Sequence, residues 1–120
     1  MNKADLERKR QENKKLLDWS VRQNHERNVV VFGENESLEH AQKKLEFCYY
    51  LNQKGKQFYC EAKFKDLKGR ADIFVLDDSG MAIEIMCSET ESEILKKKLK
   101  YPCMVVEVKL EQSPKEVFGE

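Results

Sequence analysis

Two carboxylates stand where packing alone would place apolar side chains. In GRADIFVLDDSGMAIEIMCSET (69–90) the apolar runs ADIFVL and MAIEIM flank an Asp-Asp-Ser-Gly turn, and each run carries one acid, Asp72 and Glu84. The runs pair as a hairpin around Asp78-Ser79-Gly80. Side chains alternate along a strand, so Glu84 shares a face with Ala82 and Met86, and Asp72 shares one with Phe74 and Leu76. If these faces coincide, the two acids project near one another at one end of a sheet. Neighbouring carboxylates raise each other's pKa unless a cation lies between them. Oxygen ligation by one or two carboxylates, with water completing the shell, suits Mg²⁺ or Mn²⁺. Such an ion polarises a phosphoryl oxygen and lowers the pKa of an attacking water, which is the chemistry of phosphodiester hydrolysis. An acid near a strand end can equally be a solvated surface group, and the pair alone leaves both readings open.

The elements that must position this pair follow from the hydrophobic period. Residues 1–27 contain strong helix formers and no Pro or Gly, with apolar residues sparse until Leu16, Leu17, Trp19 and Val21. They predict a charged helical arm whose C-terminal end docks on a body formed by residues 28–120. Eight Lys/Arg against five Asp/Glu give the arm a mild positive surplus, a solvated face or a contact to a partner. NVVVFG (28–33) reads as an edge strand or a buried connector. Ser37–Leu51 reads as an amphipathic helix with Leu38, Ala41, Leu45 and Cys48 on its apolar stripe. The period then changes. QFYCEAKFK (57–65) reads as a strand with Phe58, Cys60, Ala62 and Phe64 on one face and Tyr59, Glu61, Lys63 and Lys65 on the other. Behind the hairpin, Ser88-x-x-Glu91 and Thr90-x-x-Glu93 are both capping-box patterns for a second helix ending before Pro102. CMVVEVKL (103–110) reads as a buried central strand and EQSPKEVFGE as a peripheral tail. The body is thus an α/β sandwich of order αβββαβ on a mixed sheet.

The bulk composition fits a single domain of 120 residues, 40% hydrophobic and 37% charged. Lys+Arg and Asp+Glu both number 22, so no net basic excess announces a nucleic-acid binder, although a local patch would suffice. Cys48, Cys60, Cys87 and Cys103 form no C-x-x-C pair; three of them sit inside apolar runs and predict small buried hydrophobes rather than a zinc site. The charged N-terminus resembles neither a signal peptide nor a membrane span, which leads us to expect an intracellular (cytoplasmic) protein with reduced thiols and no membrane partner.

The ordered motifs resemble the PD-(D/E)xK nuclease superfamily, in particular its compact CoiA-like and archaeal or viral branch, over roughly residues 34–110. ENESLEHAQKKL matches the ES-x-x-H-x-x-x-K helix of that branch at Glu36, Ser37, His40 and Lys44. A strand carrying Glu61 follows, then GRADIFVL with Asp72, and AIEIMCSET with Glu84 at the second acidic position and Ser88-Glu89 after it. The resemblance implies a restriction-endonuclease-like αβββαβ core and a DNA endonuclease. Asp72, Glu84 and the Ile85 carbonyl would hold Mg²⁺ or Mn²⁺, with Glu61 and His40 accessory. Arg70, Lys96 and Lys97 would be candidates for DNA contact. The lysine of the pattern is replaced by Met86, whose thioether can neither orient a water nor stabilise developing negative charge. Lys63, Lys96 or Lys97 could supply that lysine from elsewhere, Glu89 or a water network could act instead, or the site is degenerate. The expected protein is a metal-dependent nuclease acting on DNA as a homodimer. Its rivals are a non-cutting nuclease fold that binds DNA and a protein-interaction module.

Overall fold

The computed structural model describes residues 2–77 and 79–120; Asp78 of the hairpin turn lies outside the described residues. Four strands form one sheet in the order β1 (Phe58–Lys63), β2 (Arg70–Val75), β3 (Met81–Met86) and β4 (Met104–Lys109). The first two pairings are antiparallel, and β3 with β4 is parallel. Helices α1 (Lys3–Lys14), α2 (Leu38–Gln53), α3 (Glu91–Lys100) and α4 (Pro114–Phe118) complete the chain with a 3-10 turn at Arg22–His25. The order from α2 to β4 is therefore αβββαβ on a mixed sheet, with an N-terminal helix before it.

Each helix start has a side-chain cap that takes up an otherwise unpaired N–H. Asn2, Ser37, Thr90 and Ser113 accept from Asp5, His40, Glu93 and Glu116, respectively. Of the two capping boxes before α3, the chain uses Thr90-x-x-Glu93. The sheet separates two apolar layers. On one side Phe47, Cys48 and Leu51 of α2 pack on Phe58, Cys60, Ile73, Ile83 and Ile85, with Phe118 of α4 against them. On the other, Leu17, Tyr59, Phe64, Phe74, Ala82 and Tyr101 form a second layer.

Several expectations are corrected. The charged helix ends at Lys14 rather than near residue 27, because Leu17 leaves it to become 2% exposed and to bridge Phe64. The chain that follows seals the outer edge of β1. Asp18 N–H donates to the Lys63 carbonyl (3.0 Å), and the buried Asn24 amide both donates to that carbonyl (2.7 Å) and accepts from the Lys63 N–H (3.1 Å). The Asn28 backbone N–H donates to the Phe58 carbonyl (2.8 Å), and its side-chain oxygen accepts from the Phe58 N–H (3.0 Å). Residues 28–33 form a connector, with Val30 and Val31 against the first layer. On α2, Leu38 and Leu45 point outward, and the buried stripe is Lys44, Phe47, Cys48 and Leu51. The strand β4 is an edge strand, not a central one. The tail contains α4, whose Phe118 packs on Phe47 and Tyr50.

The alternation expected for β1 also fails. Phe58 and Cys60 face α2, but Ala62 and Phe64 join Tyr59 on the other side. Glu61 has φ +50°, the left-handed region, which turns the pleat over in mid-strand. Its partner follows: Ile73 lies in the first layer and Ala71, paired with Ala62, in the second.

Candidate active site

The sheet splits where the two acids stand. Pairing of β2 with β3 runs from Val75↔Met81 to Ile73↔Ile83, one residue short of Asp72 and Glu84. Beyond that point β2 stays with β1 and β3 stays with β4. The carboxylates close the fork in place of backbone bonds. Glu84 Oε2 accepts from the Asp72 N–H (2.8 Å), and Asp72 Oδ2 accepts from the Ile85 N–H (2.7 Å). Ile85, expected to offer its carbonyl, gives the pair its N–H.

Helices on opposite faces supply the cations. Lys97 of α3 places Nζ 2.9 Å from Glu84 Oε1, and the Tyr101 hydroxyl donates to the same oxygen at 2.7 Å. His40 of α2 sets Nε2 3.2 Å from Asp72 Oδ2, and its Nδ1 bonds Glu36. Glu36 also accepts from the Gly33 N–H (3.0 Å) and pairs with the fully buried Lys44 (2.8 Å), which lies 4.0 Å from Glu61. The network thus holds four carboxyls, Glu36, Glu61, Asp72 and Glu84, against three cations, His40, Lys44 and Lys97.

Burial and the neighbouring charges together set the proton affinities. Burial, then the charge of Asp72, pushes the Glu84 carboxyl above the usual range. Burial also raises Glu61, with Asp72 and Glu36 adding to it and Lys44 opposing. The hydrogen bond to Asp72 dominates at His40; burial opposes it, but Asp72 and Glu36 carry the imidazole up to about 9. Burial works against the Lys97 ammonium, yet Glu84 outweighs it and holds its pKa above the ordinary value. Burial, and then the Glu84 charge, push the Tyr101 phenol upward, so it stays a donor.

The site has an opening on the His40 side. A cavity of about 290 Å³ is lined by Gly33, Glu36, Ser37, His40, Glu61 and Glu89, among others. A larger cavity of about 540 Å³ lies at the hairpin end among Tyr50, Met81, Met104 and Phe118. Its acids Asp77 and Glu120 are already paired with Arg10 and Lys54, so it lacks comparable chemistry.

Of the residues singled out from sequence, Asp72, Glu84, Ile85, His40 and Lys97 meet at the fork, with Glu61 beside them. Lys63 lines a separate groove with Arg70 and Lys100, and Lys96 is exposed on α3. Sequence reasoning gave no role to Lys44 or Tyr101. Lys44 had a signal as the last position of the ES-x-x-H-x-x-x-K pattern; Tyr101, before a helix-stopping Pro102, had none. Among the described residues no three His, Cys, Asp or Glu side chains converge as a metal-binding group. The donors fit a hard cation in another way. Both acids offer oxygen, the donor a hard cation takes, and Glu84 Oε1 lies 2.9 Å from the Lys97 ammonium.

A four-stranded mixed sheet with helices on both faces and acids at its fork defines a restriction-endonuclease-like, nuclease-like α/β domain. The family model of the competence protein CoiA nuclease-like domain matches residues 36–102, more than half of the chain, and the chain belongs to that family. The matched span includes every residue of the charge network. No curated protein and no solved structure matches the chain. No helix among the described residues is long and apolar enough to cross a membrane.

Proposed function

We propose that this domain hydrolyses DNA phosphodiester bonds, with Asp72 and Glu84 holding Mg²⁺ or Mn²⁺. The observation that carries the reading is the charge balance at the fork: a 1% exposed Glu84 and Asp72 share one end of a network with one acid in excess. Burial first and the Asp72 charge second raise Glu84, and a divalent cation would offset both by favouring the ionised carboxylate. When bound, it supplies the polarisation of a phosphoryl oxygen and the acidification of an attacking water.

The chain's own groups set the rest. His40, protonated at neutral pH, orients the Asp72 carboxylate from the α2 side and is itself fixed by Glu36. Lys97 takes the role of the lysine that Met86 cannot play. Its ammonium, 2.9 Å from Glu84, would stabilise charge developing on a phosphate bound at the fork. Glu61, with its raised pKa, faces the cavity and can accept a proton from water on that side. One copy offers little surface to grip a duplex, so two copies acting together, with Arg70 and Lys96 on the phosphates, belong to this reading.

A second reading has an observation of its own. Glu84 is already satisfied by Lys97, Tyr101 and the Asp72 N–H, which suits a fold that binds DNA or protein without cutting. Cleavage of supercoiled DNA with Mn²⁺ separates the two. We expect nicking by the wild type, none with Asp72→Asn, and a loss of about 100-fold or more with Lys97→Ala. No cutting of supercoiled or branched DNA by a well-folded wild type would leave the second reading.

A further inference from the structure

The turn joining β1 to β2 carries a combination of features that neither folding nor the carboxylate site explains. Lys68 N–H donates to the Lys65 carbonyl (3.4 Å), and Asp66 and Leu67 have φ +60° and +57°. Two successive left-handed residues make a type I′ turn, which ordinarily calls for Asn-Gly. Leucine is strained there. Its side chain buries nothing in return, being 80% exposed. The turn is nevertheless firmly mounted. Phe64 N–H donates to the Gly69 carbonyl (2.8 Å), and Gly69, at φ +108°, lies so close to Tyr101 that a Cβ would meet the ring at 2.5 Å. Tyr101 in turn bonds Glu84, which ties the turn to the carboxylates.

Charge selects the partner. Residues 63–70, KFKDLKGR, hold four cations and one acid in a chain whose totals balance at 22 each. A groove of about 380 Å³ runs beside the turn, lined by Lys63, Leu67, Gly69, Arg70 and Lys100. A leucine at the tip of a turn, flanked by cations, matches the apolar wedges that enter a stacked duplex.

We propose that Leu67 is a DNA wedge: it inserts between base pairs while Lys63, Arg70 and Lys100 hold the flanking phosphates. The five-residue reach from Leu67 to Asp72 bounds their separation at roughly 17 Å, so the opened step lies within about five base steps of the phosphate at the fork. The inference rests on the reading of DNA as substrate and adds where and how the duplex is deformed.

The test is a short duplex carrying 2-aminopurine at successive flexible steps, titrated with the full chain in Mn²⁺ and in EDTA. Binding should raise emission at one step, and Leu67→Ala should abolish the rise and weaken binding about fivefold. Leu67→Gly suits the turn better, so it should melt no lower than wild type and yet lose the emission. Lys63→Ala and Lys100→Ala should each reduce the salt-dependence slope by about one. Emission and affinity unchanged in Leu67→Gly, no duplex binding by the wild type, or a change only in sedimenting mass would each overturn the wedge. The last of these would make Leu67 a contact between copies. The nuclease reading fails separately: a wedge without Mn²⁺-dependent cutting leaves this proposal standing, and cutting without the emission change leaves the other.

Discussion

Glu84 is held by three donors that come from three elements: a strand N–H, a helix ammonium and a phenol beyond the helix end. Removing any one exposes the cost of a buried carboxylate. Tyr101→Phe leaves Glu84 one donor short and should destabilise the fold by about 1–3 kcal/mol in urea unfolding. Lys97→Met should cost about 2–3 kcal/mol, because the ammonium is partly exposed and the carboxylate is not. Adding Glu84→Gln should recover most of that loss, since it removes the stranded charge; a double variant as unstable as the single one would contradict the ion-pair account. His40 gives a pH signature. Its folded pKa of about 9 lies above the unfolded 6.5, so its contribution is complete below about pH 6.5 and disappears as pH rises through about 9. NMR titration of the metal-free protein should place its midpoint near 9, and a midpoint near 6.5 would mean that Asp72 and Glu36 do not hold the imidazolium. At this scale Asp72 and Glu84 were legible because an acid interrupts each apolar run. The burial of Lys44 was not, because Leu38 and Leu45 beside it are better core residues by type. What draws Lys44 inward is Glu36 and Glu61, and helix periodicity contains no trace of either.

The strands divide by how they manage their edges. The outer edge of β1 is closed by the backbone N–H groups of Asp18 and Asn28 and the side-chain amides of Asn24 and Asn28, which stand in for a missing neighbour strand. Asn24→Ala would strand the Lys63 N–H, while the Lys63 carbonyl keeps the Asp18 N–H, and should cost about 1–3 kcal/mol, with light scattering rising as the edge is uncovered. A variant that melts like wild type would show that the N-terminal segment is not needed to seal the sheet. The other edge, β4, reads as a central strand because Val105, Val106 and Val108 are apolar. Its protection comes from charge instead, through Glu107 paired with Lys98 and through Lys109. The start of α3 was legible to within two candidate caps, Ser88 and Thr90, since the cap acts through a local N–H; the start of α4 at Ser113 was not. The reversal of the β1 pleat at Glu61 was not legible. A left-handed glutamate in a strand is settled by tertiary demand: the acid must turn toward Lys44 while Ala62 and Phe64 fill the opposite layer.

Across the whole molecule, the αβββαβ order was legible because each element's period is distinct and each boundary has a turn or cap residue. The placement of layers was less so, since the same pattern permits either face to receive α2. What the assembled fold adds is convergence: α2 and α3, on opposite sides of the sheet, deliver His40 and Lys97 to one fork, and the strained turn before β2 is fixed to the same fork through Tyr101. We have proposed that this fork holds a divalent ion. Mn²⁺ calorimetry at neutral pH, comparing wild type with Asp72→Asn and Glu84→Gln, tests it most directly. The account predicts a saturable site in the wild type, loss of about tenfold or more in affinity in each variant, and circular dichroism unchanged across the three. A folded wild type that takes up no Mn²⁺, or variants that bind as tightly as it does, would contradict it.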